Sequence, residues 1–372
     1  MIRGNILKRE GILTFLTFNV MMFSSFFQMK ADDAYKIGGI YYRIIGDHEV
    51  EVASQRADEE NVQPPEYVYN GNIIIPETVT IEGSEYRVTR IGRGAFCSST
   101  GLESVTVPNT VNKIEIDAFL HCWGLRYVRL GSSVQTLGRP GSNSIDEVFL
   151  YCHHFRDIDV DESNPWYSSY DGILYDKEQK TLLFFPQAKE KFKFAPTVTS
   201  IMDRVFCLAA SYETIIIPEN VESIGERAFS VFKLQHDFVI GKGVKSIGKK
   251  AFDFNDWNTK FYYTKIINLN PVPLECDDLF NEKIYIESIL YVPEESIEAY
   301  KSCYPWSEFR NIRSLEESGI EGIVNTEESP ESVYTIQGIR VADPSNLQPG
   351  LYIINGKKTL IKNNTQHLEF IK

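Results

Sequence analysis

Apolar positions along this chain recur every 23 residues, a period too long for a single helix or strand. Ile91, Ile114 and Leu137 are spaced by 23, as are Ile201, Ile224 and Ile247. Phe96 and Phe119 keep the same interval, and so do Phe206, Phe229 and Phe252. Val111 with Val134, and Val198 with Val221 and Val244, complete the set. The unit reads L-x-x-V-x-V-P-x-x-V-x-x-I-x-x-x-A-F, clearest in LESVTVPNTVNKIEIDAF (102–119) and YETIIIPENVESIGERAF (212–229).

Within a unit, SVTVP or TIIIP alternates with period two, which predicts a short strand. Pro76, Pro108, Gly131, Pro218 and Gly241 end these strands, because proline and glycine interrupt a ladder. A second apolar pair such as Val221 and Ile224 follows, and then Ala-Phe sends a ring inward before the chain turns back. Too few residues remain for a long amphipathic helix. One unit cannot bury its apolar side alone, whereas stacked units share a continuous core. The predicted fold is therefore mainly β, a solenoid of units of about 23 residues, each a short strand plus turns, with strands roughly 4.8 Å apart along its axis.

The S-I-G-x-x-A-F core (SIGERAF 223–229, SIGKKAF 246–252, RIGRGAF 90–96) resembles the BspA-like leucine-rich-repeat family, surface and secreted proteins of anaerobic bacteria. The resemblance runs from about residue 68 to 313. GIYYRII (39–45) and VEV (50–52) look like the strands that open such proteins, and SILYVPEESIEAYKSCYPWSEFRNI (288–312) looks like their closing unit. Thr80 to Thr89 lengthens the first repeat, Arg139 to Glu147 enlarges the third, and Asn164 to Pro186 adds a hairpin of a kind that recurs in the family. The expected organisation is an N-terminal β capping region (32–72), a solenoid (73–313) with the hairpin insertion near 164–186 and a closing unit at 260–313, an acidic linker (314–331), and a small C-terminal β module (332–372). That module resembles a bacterial sorting signal, but Gln366–Lys372 continues past the usual last strand, so a plain β module stands beside the sorting role.

Composition narrows the setting. Lys8 and Arg9 precede a mostly apolar run from Ile12 to Phe27, then Ala31 and the acidic pair Asp32–Asp33, the order of a signal peptide over 1–31. A mostly apolar run of sixteen residues is short for a bilayer span, so no integral membrane span is expected after cleavage. The expectation is a secreted or cell-surface protein, outer-membrane-associated or extracellular in a Gram-negative anaerobe as the resemblance implies. A formal net charge of -13 repels phosphate backbones and argues against nucleic-acid partners.

Candidate chemistry is sparse. GVKSIGKK (243–250) matches a phosphate-binding loop until Lys250 replaces the hydroxyl that would hold magnesium. In repeat register Lys249 aligns with Glu226 and Gly248 with Gly225, so the match is a by-product of the repeat, and no nucleotide is expected. FRDIDVDESN (155–164) places Asp157, Asp159 and Asp161 on one face of a strand, opposite Ile158 and Val160. A calcium loop fails there because Glu162 stands where glycine must turn the chain. A glycosidase pair would need a cleft that the sequence does not imply, which leaves a solvated strand face as the first reading. Six cysteines form no C-x-x-C pair. Cys122 and Cys152 each follow a ladder phenylalanine by three, so they share a position on neighbouring coils as a buried thiol ladder or, second, as a disulfide; a zinc site with His121 or His153 ranks third. No G-x-S-x-G elbow or other catalytic triad is evident. No cofactor and no metal site is expected.

The outward strand positions form one curved surface on which a partner would bind: Ser104, Thr106, Tyr127, Arg129, Lys193, Thr214, Ile216, Asp237 and Val239. The family resemblance implies a non-catalytic protein that adheres to extracellular protein or glycan partners. The alternatives are a structural scaffold of the bacterial envelope and, third, a carbohydrate-active enzyme using the 157–161 carboxylates.

Overall fold

The computed structural model describes residues 34–54, 69–141, 145–211, 214–234, 237–254, 265–319, 333–335, 350–354, 357–361 and 369–370. The signal-peptide expectation lies outside them. Two compact units divide the chain, residues 1–314 and 315–372.

The first unit is a solenoid whose coils carry two parallel ladders. One ladder holds the period-two strands: Asn70–Ile74, Gly101–Thr106, Tyr127–Leu130 and Asp157–Val160 lie side by side. The other holds the isoleucine positions. Ile91 pairs with Ile114 and Ile114 with Leu137; further along, Ile201 pairs with Ile224 and Ile224 with Ile247. Each step of pairing is one sequence period, as the pattern predicts. At the N-terminal end, antiparallel strands Tyr35–Ile37, Ile40–Gly46 and Glu49–Val52 close the isoleucine ladder, the last pairing with Ser84–Ile91. At the other end the Glu282–Glu287 helix, capped by Asn281, precedes strand Ile289–Val292 and helix Ile297–Ser302. Trp306 is wholly buried there, its Nε1–H donating to the Leu274 carbonyl at 2.9 Å.

The third side of each coil is a turn built around the ladder phenylalanine. Phe96 stacks on Phe119 with centroids 5.2 Å apart, Phe119 on Phe149 at 5.3 Å, and Phe206 on Phe229 at 4.4 Å. These spacings follow the inter-strand distance, since each coil sets its ring one strand step above the last. Two residues before the ring, Gly94, Asp117, Arg204, Arg227 and Lys250 all have left-handed φ. Two residues after it, Ser98, His121, Tyr151, Leu208 and Val231 do the same. A non-glycine residue in that region costs roughly 1–2 kcal/mol, which the buried ring between the two turns offsets. Lys250 is thus a turn residue. Gly243 and Gly248 are close-approach residues, because a Cβ on Gly243 would strike the Glu219 carbonyl oxygen of the preceding coil and one on Gly248 would strike the Glu226 amide nitrogen. Coil packing alone accounts for both glycines of the apparent phosphate loop.

The insertion is a wall through the core. Strands Tyr167–Tyr170, Ile173–Asp176 and Thr181–Phe184 run antiparallel, and the last joins the isoleucine ladder at Ser200–Ile201. Its neighbouring residues face opposite ways. Leu174 and Phe184 belong to the apolar cluster of the N-terminal coils, while Ile173, Tyr175, Leu182 and Phe185 belong to that of the C-terminal coils. The solenoid therefore has two cores with a shared partition.

The second unit contains strands Val333–Thr335, Gly350–Ile354, Lys357–Ile361 and Glu369–Phe370, paired antiparallel in that order. The Glu369–Phe370 strand lies in the segment where the sequence departs from a sorting module.

Phe229 stacks on Phe206 and packs edge-on against Phe232 and Phe238. Truncation by Phe229→Ala is expected to lower unfolding free energy by about 3–5 kcal/mol, read as a shift in the denaturation midpoint. A loss below about 1 kcal/mol, the level of an ordinary surface change, would contradict a ring ladder that holds the coils together.

Candidate functional site

Of the nine outward positions expected to bind a partner, four lie on the N-terminal strand ladder and three line a concavity beyond a break in it. Ser104, Thr106, Tyr127 and Arg129 lie on the N-terminal strand ladder. There Ser104 pairs with Tyr127 and Thr106 with Arg129, and the two rows extend to Asn72 and Ile74 on one side. On the other side Tyr127 and Arg129 pair with Asp157 and Asp159. The half-buried Tyr127, the exposed Arg129 and the aspartate strand, separate features in the sequence, are neighbours on one face.

The ladder then breaks. Between strands Asp157–Val160 and Ile215–Ile216, residues 191–195 run without strand pairing. Phe192 and Phe194 pack on the C-terminal core and meet edge-on at 5.2 Å. A concavity of ≈ 350 Å³ opens at this break, lined by Lys193, Thr214 and Ile216 along with Glu190, Phe192, Phe194 and Pro218. Ile215 and Ile217 donate their amides to the next strand, which directs the Ile216 backbone at the break, and its side chain is 49 % exposed. Lys193, Thr214 and Ile216 are thus brought together.

One of the remaining two positions, Val239, differs from expectation. Asp237 is half-buried, with its carboxylate accepting from the Lys265 amide at 3.3 Å. Val239 is fully buried rather than outward-facing. It lies in one row with Ile216 and with Ile267 and Tyr291, and the last two are buried as well. Strand alternation correctly places Val239 opposite the core, but an apolar row on that face is itself packed away from solvent.

The aspartate strand is engaged throughout. Ile158 and Val160 are buried, and the carboxylates stand on the opposite face. Arg129 reaches Asp159 at 3.0 Å and Asp161 at 3.5 Å. The Tyr127 hydroxyl donates to Asp159 at 3.4 Å, and Ser169 donates to the same carboxylate at 3.2 Å. Lys189, whose side chain is only 10 % exposed, holds Asp157 at 2.8 Å. Hydrogen bonds from the Ser163 hydroxyl and amide pull the Asp161 pKa below its usual value. A network of this kind fixes the face and keeps Asp161 ionised, the opposite of what a general acid requires.

Cys122 and Cys152 sit at one ladder position, as their spacing predicts, with Ser99 in the coil before them, and all three are buried. Both cysteines are free thiols: Cys122 Sγ donates to the Phe96 carbonyl at 2.9 Å and Cys152 Sγ to the Phe119 carbonyl at 3.0 Å. His121 points outward, stacked on Tyr151 at 4.7 Å, while its neighbour Cys122 points into the core. Among the described residues no three of His, Cys, Asp and Glu come together as metal ligands. Nor is any helix among them long and apolar enough to cross a membrane.

Comparison with known proteins follows the same lines. The profile of the BspA type leucine rich repeat region matches in six copies over residues 70–170 and 183–304, more than half of the chain. The gap between these spans falls at the partition hairpin. Among solved structures, similarity is found to the pneumococcal vaccine antigen PcpA, at 16 % identity over 76 % of this chain and 99 % of that one, TM-score 0.33. A leucine-rich repeat protein of Eubacterium ventriosum matches at 15 % identity over 75 % of this chain and 83 % of its own, TM-score 0.39. A leucine rich cell surface protein of Faecalibacterium prausnitzii matches at 15 % identity over 77 % and 95 %, TM-score 0.30. No curated protein sequence matches the chain.

Burial pushes the Cys152 thiol well above its ordinary pKa, so it stays protonated where a free thiol begins to ionise. Iodoacetamide at about pH 8, near the ordinary thiol pKa, is expected to leave Cys122 and Cys152 unlabelled in the folded protein and to label both in guanidinium. Rapid labelling of either in the folded state, or failure to label both after unfolding without reductant, would contradict the thiol ladder.

Proposed function

Because the chain belongs to the BspA-type leucine-rich-repeat family, we propose that it is a non-catalytic extracellular or cell-surface repeat protein that binds protein or glycan partners. The observation that carries this reading is the strand face from Asn72 to Asp159. There Tyr127 and Arg129 stand in register and in one bonded network, offering a rigid surface rather than loose side chains. Tyrosine and arginine are the residue types that most often dominate binding energy. Pre-ordering them by Asp159 lowers the entropy lost when a partner docks. The concavity beside Lys193, Thr214 and Ile216 lies past the break and supplies a recess of mixed polar and apolar lining. The carboxylates of 157–161 serve as supports for Arg129 and Lys189, which favours recognition over hydrolysis. The basic-then-apolar run at the N-terminus supports an extracellular destination.

A screen of matrix proteins and glycans with the full chain, repeated with Tyr127→Ala/Arg129→Ala, tests this. The variant is expected to lose about tenfold or more in affinity for the partner found, the loss of one hot-spot pair. Equal binding by the variant would remove this face. A hydrolytic activity abolished by Asp157→Asn/Asp159→Asn would overturn the non-catalytic reading.

A further inference from the structure

The turns that carry the phenylalanine ladder present a second exposed surface, different from the strand face. On two consecutive coils the chain places an aromatic residue two positions after the ladder ring, another at four, and an arginine at seven: His121, Trp123 and Arg126, then Tyr151, His153 and Arg156. The coil before them carries Ser98, Thr100 and Glu103 at the same positions, so the aromatic-basic set is confined to these two. The left-handed backbone at His121 and Tyr151 turns those side chains out of the coil.

The rings are ordered. His121 and Tyr151 stack at 4.7 Å with planes 4° apart, Trp123 meets His121 edge-on at 6.4 Å, and His153 meets Tyr151 at 6.0 Å. His154 Nδ1 lies 2.6 Å from the Trp123 carbonyl oxygen and ties the two coils. Yet Trp123 is 51 % exposed and Tyr151 38 % exposed. Large exposed aromatic surface held rigidly is a recognised mark of a binding patch.

Charge points the same way. Arg126 and Arg156 occupy one position on adjacent coils, the Arg156 amide donating to the Arg126 carbonyl at 3.0 Å, and both side chains are exposed. Like charges facing each other across neighbouring strands destabilise. Among the described residues no carboxylate forms an ion pair with either one. Of the nearby acids, Asp157 is held by Lys189 and Asp159 and Asp161 by Arg129, while Glu103, exposed one coil before Arg126, is joined to it through the backbone at 2.8 Å. On a chain of net charge -13, two adjacent exposed guanidiniums without an ion pair among the described residues are a local exception.

We propose that Trp123, Tyr151, Arg126 and Arg156 form a binding site for an acidic saccharide, a pyranose that carries a carboxylate. The apolar face of a sugar ring stacks on an exposed aromatic side chain, and guanidinium groups bind a carboxylate through paired hydrogen bonds. The patch suits one or two negative charges, whereas a nucleic-acid strand would meet the acidic remainder of the surface. Uronic and sialic acids share this chemistry.

The inference rests on the recognition reading above but uses a separate surface. The test is calorimetric titration of the full chain with trigalacturonate and with 3′-sialyllactose, with lactose as the neutral probe and a single-stranded oligonucleotide as the polyanion. At least one acidic sugar is expected to bind, with lactose weaker by about tenfold or more, the loss of one charge-assisted contact pair. Arg126→Ala/Arg156→Ala and, independently, Trp123→Ala should each weaken it by about tenfold or more. Tyr127→Ala/Arg129→Ala should leave it unchanged. Binding of neither acidic sugar, equal binding of lactose, tighter binding of the oligonucleotide, or unaltered binding by both turn variants would each overturn the proposal. Such a failure leaves the recognition reading standing if Tyr127→Ala/Arg129→Ala still abolishes capture of a partner in the screen.

Discussion

A coil of 23 residues is too short to bury its own apolar side, and everything else in the solenoid follows from that limit. Each coil must lay its isoleucine, valine and phenylalanine on the equivalent residues of the next. The stacking appears as Ile201, Ile224 and Ile247 in one parallel row and as rings 4.4–5.3 Å apart in the closest stacks. Because each ring must lie inward one strand step above the last, the backbone on either side of it yields. Residues as unsuited to left-handed φ as Val231 adopt it so that the phenylalanine between the two turns stays inward. Stability is in this sense a property of neighbouring coils, and surface residues are free to differ from coil to coil.

That freedom is where function can reside. The partition hairpin lets the chain interrupt its own strand ladder without losing its core, since Leu174 and Phe184 close one cluster while Ile173, Tyr175 and Phe185 open the next. The interruption creates a recess beside Ile216 that an unbroken ladder would have filled. Upstream of it, Arg129 and the aspartates of the last strand make a bonded face. The combination of aromatic residues two and four positions after the ladder ring with an arginine at seven occurs on two coils, those of Phe119 and Phe149.

Much of this was legible in the sequence, because inward positions of a solenoid tolerate few residue types. The phenylalanine, isoleucine and valine rows, the shared position of Cys122 and Cys152, and the outward set of Asp157, Asp159 and Asp161 follow from period and alternation alone. The left-handed turns were not legible: Gly94, Asp117, Arg204, Arg227 and Lys250 share a conformation but no residue type. Strand alternation assigned Val239 to the outer face, but exposure depends on what packs there, and Ile267 and Tyr291 come from later coils. Repeat register also places Lys193 on an outward strand, yet residues 191–195 pair in no strand and the ladder breaks there. Trp123 and Arg126 became notable only once Tyr151 and Arg156 stood beside them, a relation that spans 30 residues because the third repeat is enlarged.

The central claim is that one period is one exchangeable coil. Excising Val221–Gly243 removes one full period and joins Asn220 to Val244, so that Phe206 meets Phe252 in place of Phe229. Excising only Val221–Phe232 removes half a coil and puts every later ladder residue out of phase. Guanidinium unfolding of the two deletions, followed by far-ultraviolet circular dichroism, compares them directly. The account predicts a cooperative transition for the full-period deletion and loss of cooperative folding for the half-period deletion. Equal behaviour of the two would contradict it.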